Sequence, residues 1–190
     1  MTIIAAVRKN GRAAIAADTQ HNLDHTIIAA ANRRHPDKIE RIGDAFIGTV
    51  GNSSHALVLR SIAARHPDLM DFSSEDAIFE TLLAMHPILK DDYYLSPQEG
   101  EKQEYESNHL DGLIVSPGGI FSFLSFREVT EHTRFWATGS GETFALGALE
   151  ATYDTIDDPR ALAELAVRVA CAFDDGCGLP LTSHALDLED

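Results

Sequence analysis

Apolar and small residues alternate from Thr2 to Val7 and resume from Ala13 to Ala17, on either side of Asn10-Gly11. A period of two interrupted by Asn-Gly predicts two strands joined by a tight hairpin. The chain thus begins inside a sheet, which fixes its N-terminal residues in space instead of leaving them to fray. A second strand pair is expected over Lys38–Ile42 and Ala45–Val50 around Gly43-Asp44. Another hairpin is expected over Leu113–Ser116 and Ile120–Phe126 around Pro117-Gly118-Gly119, and a further strand over Thr133–Thr138, which Gly139-Ser140-Gly141 ends.

Between these strands the apolar period becomes helical. Gly51-Asn52-Ser53-Ser54 opens a helix with Ala56, Leu59, Ile62 and Ala63 on one face, stopping before Pro67. A second helix starts at Ser73, with Asp76 three residues on, carries Ile78, Leu82 and Met85, and stops at His86-Pro87. Residues Ile88 to His109, with Lys90-Asp91-Asp92 and Gln98-Glu99-Gly100-Glu101, read as a surface excursion with little core content. After the glycine break comes a helix over Glu142–Tyr153. The next is capped by Asp158-Pro159 and has Leu162, Leu165, Ala166, Val169, Ala170 and Phe173 along one stripe. Strands, two helices, strands, two helices is the order of an α+β fold with antiparallel sheets between helix pairs, not of an alternating parallel sheet.

With 190 residues and 44% hydrophobic content, the chain is expected to form one domain over residues 1–190. Its net charge of −15 argues against a nucleic-acid or anionic-membrane surface, since both need a local excess of Lys and Arg. No basic segment precedes an apolar run at the start, and no stretch approaches the ~20 apolar residues of a membrane span, so a cytoplasmic location is expected. Cys171 and Cys177 lie on different faces near the end of the last predicted helix and suit neither a disulfide framework nor a zinc knuckle. His21 and His25 have HxxxH spacing but lack the glutamate of HExxH, so a solvated loop outweighs a metal site.

Few residues announce chemistry. There is no GxSxG elbow, no Gly-rich phosphate loop and no paired-cysteine site. What remains is Thr2, which would become the first residue if Met1 were removed. A threonine hydroxyl is a weak nucleophile unless a base sits beside it, and a terminal threonine carries its own, the free α-amine. Taken alone, Thr2 is equally a strand residue of high β-propensity.

Its surroundings change that. The run T-I-I-A-A-V-x-x-N-G-x-A-A-I-A-A-D from Thr2 to Asp18 resembles the amino-terminal motif of proteasome β-type and HslV-type peptidases. Three more segments follow in the family's order: Asp37-Lys38-Ile39, Gly48-Thr49-Val50-Gly51 and Ala137-Thr138-Gly139-Ser140-Gly141. The contexts Arg127-Glu128-Val129 and Phe135-Trp136-Ala137, with the acidic excursion, look most like the β-proteobacterial proteasome homologues, a branch related to HslV.

The resemblance implies the four-layer αββα sandwich of N-terminal nucleophile hydrolases and a threonine endopeptidase. Thr2 would be the nucleophile, Lys38 an electrostatic tuner, Asp18 its partner, and the Gly51 amide an oxyanion contact. Ser140 and Asp175 would orient the terminal amine, and Thr49 and Ser53 would line the pocket for the residue before the scissile bond. Gly178 departs from the pattern, standing where a serine is usual three residues after the aspartate, unless Asp174 is the match. An unperturbed α-amine titrates near ~8, so an ammonium beside it favours the free base that neutral-pH chemistry needs. No cofactor and no metal is called for. Expected partners are an unfolded polypeptide or peptide substrate, further copies of the chain in a double ring, and an ATPase unfoldase.

Each residue also has a plainer reading. Asp18 closes a hairpin, Lys38 is a solvated strand charge, Gly51 permits a tight turn and Ser140 caps a helix. An amidase acting on a small amide, a catalytically silent structural subunit and, if Met1 is retained, a plain binding module that shares the fold stay open as alternatives.

Overall fold

The structure is a computed structural model that describes residues 1–95, 106–107, 110–125 and 127–189. In chain order its elements are β1 (Ile3–Lys9), β2 (Arg12–Asp18), β3 (His21–Leu23), β4 (Thr26–Ile28), β5 (Ile39–Ile42) and β6 (Ala45–Val50). Then come α1 (Ser54–Arg65), α2 (Glu75–Asp91), β7 (Asp111–Ser116), β8 (Gly119–Phe123), β9 (Val129–His132) and β10 (Phe135–Gly139). The last are α3 (Glu142–Thr152), α4 (Pro159–Phe173) and β11 (Leu181–Asp187).

The first hairpin turns where Asn10 and Gly11 take positive φ, 54° and 71°, the conformation a two-residue turn with the right twist demands. One sheet has the order β10-β1-β2-β11 and the other β5-β6-β7-β8-β9, with neighbours antiparallel in both, while β3 and β4 pair separately. β1 is apolar on both faces because both are covered. Ile3, Ala5 and Val7 pack with Leu149, Leu162, Ala166 and Ala170 of α3 and α4. Ile4 and Ala6 pack between the sheets with Leu113, Val115 and Ile120. A third apolar layer holds Leu59, Ile62, Ile78, Leu82 and Met85 of α1 and α2 against Ile47, Ile114 and Phe121. Three apolar layers separate four layers of structure, giving the αββα sandwich.

Several boundaries differ from the expectations, each for a physical reason. Ser74, not Ser73, caps α2, its side chain accepting from the Ala77 amide at 3.2 Å. The helix then runs on through Pro87 to Asp91. The Pro87 ring faces outward and Leu89 beyond it is buried, so core contact outweighs the amide hydrogen bond the proline lacks. Ile88–Asp91 are therefore helical. Leu89 joins the core, which the reading of Ile88–His109 as a surface excursion did not single out. Gln98-Glu99-Gly100-Glu101 and Phe126 lie outside the described residues.

The strand expected over Thr133–Thr138 is β10, shifted to Phe135–Gly139; β9, just ahead of it, was not expected, and the two lie at the edges of different sheets. On α1, His55 joins Leu59 and Ile62 on the buried face, while Ala56 and Ala63 are only half-buried. The buried stripe of α4 is Leu162, Ala163, Ala166, Val167 and Ala170. Phe173 is 70% exposed, stacked on Phe144 at 5.5 Å. Among the described residues no helix is long and apolar enough to cross a membrane.

Candidate active site

The hairpin order places Thr2 just ahead of β1 and Asp18 at the end of β2, so the two meet at one end of the same sheet. Asp18 is 0% exposed, and a buried carboxylate persists only where donors replace its water. It has four. Oδ1 accepts the Ile3 amide at 3.1 Å and Lys38 Nζ at 2.7 Å. Oδ2 accepts the amides of Gln20 and Gly178, both at 3.1 Å. Lys38 stands immediately before β5, in the other sheet, and reaches across to donate also to Thr2 Oγ1 at 3.0 Å. One ammonium thus bridges the threonine hydroxyl and a fixed carboxylate.

On the other side of Thr2, β10 approaches so closely that Gly139, at φ +114°, pairs with Ile3, and a Cβ there would collide with the Thr2 carbonyl. Ser140 follows and donates to the Thr2 carbonyl at 3.4 Å. Its Oγ lies 3.7 Å from Cys177 Sγ, which in turn donates to Asp174 Oδ2 at 3.4 Å. Burial raises the Asp174 carboxyl, but Ser140, the Gly176 amide, Cys177 and the terminal ammonium outweigh it and hold the group below the usual carboxylate range. Burial pushes the Cys177 thiol up to about 12, keeping it protonated.

Asp175, the residue expected here, is exposed, and its backbone carbonyl accepts Gln20 Nε2 at 3.0 Å. The aspartate that faces Ser140 is Asp174, because the turn after α4 swings its neighbour's side chain to solvent. Three residues on from Asp174 is Cys177, so in this register a thiol stands where a hydroxyl was expected. The sequence left Asp174 open as the other match, and two consecutive aspartates gave no means of choosing between them.

A cleft of about 360 Å³ opens over Thr2 and Lys38. Thr49, Gly51 and Ser53 line it, as does Ala56. Gly51 has φ +90°, a bend between β6 and α1 that a side chain would strain. Gln20, His21, Asn22 and Arg33 also line the cleft. Of the four only His21 stood out in the sequence, as half of an HxxxH spacing read as a solvated loop; no motif contains the other three. Burial first, then the charges of Arg33, Lys38 and the terminal amine, lower the His21 pKa, so this ring is neutral beside three cations. Among the described residues no group of three or more His, Cys, Asp or Glu side chains is arranged to hold a metal.

Met1 precedes Thr2 and its carbonyl accepts the Thr2 hydroxyl at 2.6 Å. While that peptide bond is intact, the nitrogen of Thr2 is an amide and cannot act as a base. The Met1 side chain rests against Gly176.

No protein-family profile matches the chain. It is 26% identical over 186 residues to the proteasome subunit beta of Nanoarchaeum equitans (strain Kin4-M), covering 92% of this chain and 87% of that protein. Two solved structures of Thiobacillus denitrificans BPH are similar over nearly the whole length. The complex with epoxomicin is 36% identical, with a TM-score of 0.90 and full coverage of both chains. The second is 35% identical, with a TM-score of 0.92 and 99% coverage of both. The eukaryotic HslV of Trypanosoma brucei is 21% identical at a TM-score of 0.71, covering 98% of this chain and 99% of that one, a likeness of fold.

Proposed function

The chain belongs to the proteasome β-type and HslV-like family, and from that premise we propose that it is a threonine endopeptidase subunit whose nucleophile is Thr2 once Met1 is removed. The observation that carries this reading is the bridge of Lys38 Nζ between Thr2 Oγ1 and Asp18 Oδ1, at 3.0 and 2.7 Å.

Thr2 Oγ1 attacks the carbonyl carbon of a peptide bond as its proton passes, directly or through a water, to the free α-amine. The tetrahedral oxyanion takes the Gly51 amide as donor, and its collapse expels the amine of the downstream fragment, which carries away the proton. An ester joins Thr2 to the upstream fragment. Water, deprotonated by the same α-amine, hydrolyses the ester and restores the hydroxyl. Lys38 stays positive throughout, disfavouring a second positive charge on the α-amine and so keeping it a base. Ser140 and Asp174 orient that amine, with Cys177 behind them, and Thr49 and Ser53 contact the residue before the scissile bond. The mechanism uses the chain's own groups alone.

An open peptidase of broad specificity would threaten a cell, so the subunit belongs in a double ring of like copies whose sites face an inner chamber. We place that assembly in the cytoplasm, with unfolded polypeptide as substrate and an ATPase unfoldase as a possible feeder.

Intact mass measured before and after exposure to epoxomicin, which one of the Thiobacillus denitrificans structures holds, tests the reading. The purified protein should lack one methionine and gain one inhibitor mass, and Thr2→Ala should gain none. A chain that retains Met1 and still cleaves peptides would sink the N-terminal mechanism.

A further inference from the structure

The proposed nucleophile and its charge partner stand on different sheets. Thr2 and Asp18 belong to β10-β1-β2-β11, whereas Lys38 leads into β5, the edge of the five-stranded sheet. The ladder of β5 with β6 begins only at Ile39, paired with Gly48, so no strand pairing holds the Lys38 backbone itself. A long flexible side chain on the unpaired end of an edge strand is poorly placed to hold a 3.0 Å contact unless something else fixes its base.

The residue before it does this. Asp37 Oδ1 accepts the Ile39 amide at 2.9 Å, closing a turn over Lys38, and also accepts Thr182 Oγ1 at 2.6 Å. Asp37 Oδ2 lies 3.0 Å from His184 Nε2. Thr182 and His184 project from β11, the edge strand of the other sheet, where pairing with Ala17 and Ile15 of β2 locks them. The His184 ring also stacks on Phe46 of β6, with centroids 4.7 Å apart and planes 16° from parallel. Burial alone would raise the Asp37 carboxyl, yet His184, Thr182 and the Ile39 amide together hold it below its ordinary value, so it is ionised at neutral pH. A carboxylate only accepts, so the His184 nitrogen facing it carries the proton.

We infer that Asp37, clamped to β11 by Thr182 and His184, is a positioning residue that ties the edges of the two sheets together and holds Lys38 between Thr2 and Asp18. The inference rests on the Lys38 role proposed above. Asp37 borders the cleft over Thr2, but its carboxylate is engaged by the Ile39 amide, Thr182 and His184, so the clamp acts through the backbone of the lysine. Misplacing a charge by about 1 Å in an active site lowers turnover by up to about 100-fold without removing substrate contacts.

The test uses Asp37→Ala, Asp37→Asn and His184→Ala in the full, assembled protein, with Lys38→Ala as reference. Asp37→Ala should lower kcat about 10- to 100-fold with KM within about twofold, since the effect is one of alignment. His184→Ala should lower kcat less. Asp37→Asn keeps an acceptor for Ile39 and Thr182 and should recover most of the loss. A crystal structure of Asp37→Ala should show Lys38 Nζ withdrawn from Thr2 Oγ1 while Asp18 stays in place. Wild-type kcat in Asp37→Ala, or Lys38 Nζ unmoved in its crystal structure, overturns the clamp. If Lys38→Ala itself keeps full turnover, the lysine role fails instead. Where no turnover is seen in any form, the position of Lys38 in the variant crystal still decides the clamp.

Discussion

The two walls that flank Thr2 are built differently. On one, Asp18 and Lys38 meet at 2.7 Å, and all four donors to the Asp18 carboxylate lie within 3.1 Å. On the other, Ser140 meets the Thr2 carbonyl at 3.4 Å and Cys177 Sγ at 3.7 Å, Cys177 meets Asp174 at 3.4 Å, and the Gly176 amide alone comes closer, reaching Asp174 at 2.8 Å. The first wall takes three of its four donors from backbone: Ile3, paired with Gly139 in the β1–β10 ladder, and Gln20 and Gly178, which flank the paired strands β2 and β11. The second hangs from the start of α3 and the end of α4, where the backbone has lost its regular partners. The first is therefore stiff and structural as well as chemical. The second is a looser positioning device.

The largest effects should fall on the first wall, and they should separate its two members. Lys38→Ala removes the charge but leaves Asp18 with three amide donors. Turnover should fall about 1000-fold, within the range for a group that assists proton transfer, with the fold nearly intact. Asp18→Ala removes the acceptor of those three amides and strands the lysine, and should also destabilise the protein by about 3 to 5 kcal/mol. A surface charge would do neither. Denaturant unfolding beside peptide turnover checks this, and equal stability losses in the two variants would break the picture of Asp18 as a structural centre.

On the second wall, Asp174→Asn should lower turnover about tenfold, because it keeps the shape but loses the charge facing the terminal amine and one of two accepting oxygens. Its pH dependence carries a sign. A carboxyl held below its unfolded value adds stability that is present above the unfolded pKa and is lost as pH falls through the folded one. Wild type should therefore lose stability on acidification below pH ~4 more steeply than Asp174→Asn. Thermal melts across that range would show it, and superimposable curves would mean that Asp174 is not held by its neighbours.

The contrast also explains what the sequence could disclose. Wall one was legible because the Asn-Gly hairpin brings Thr2 and Asp18 to one end of a sheet, and the resemblance of Asp37-Lys38-Ile39 to the family's motif supplies Lys38, neither needing a side-chain direction. Wall two depends on which way a chain turns after a helix. Asp174 and Asp175 are chemically alike, and only the geometry of that turn sends one inward and the other to solvent. The β11 strand was missed for a related reason. From Leu181 to Leu186 its residues are all half-buried, so no apolar alternation marks it, although it supplies Thr182 and His184. Pro87 misled because proline normally ends a helix, and the pull of Leu89 into the core cannot be seen from the proline itself.

The smallest effect should come from the most conspicuous substitution, the thiol of Cys177. Burial raises its pKa to about 12, so at pH 8 only about one molecule in 10⁴ carries the reactive thiolate. Iodoacetamide should therefore modify Cys177 far more slowly in the folded protein than after unfolding. Cys171, raised to about 11, should also lag but react first. Serine at this position would replace a weak sulfur donor with a stronger hydroxyl on a shorter bond, improving the contact with Asp174 while lengthening the gap to Ser140. These changes oppose one another in a wall whose contacts are already loose, so Cys177→Ser should alter turnover by less than about threefold, under 1 kcal/mol. A change of more than tenfold in either direction would show that the second wall is as tightly coupled to Thr2 as the first, and the distinction between a stiff wall and a loose one would fall.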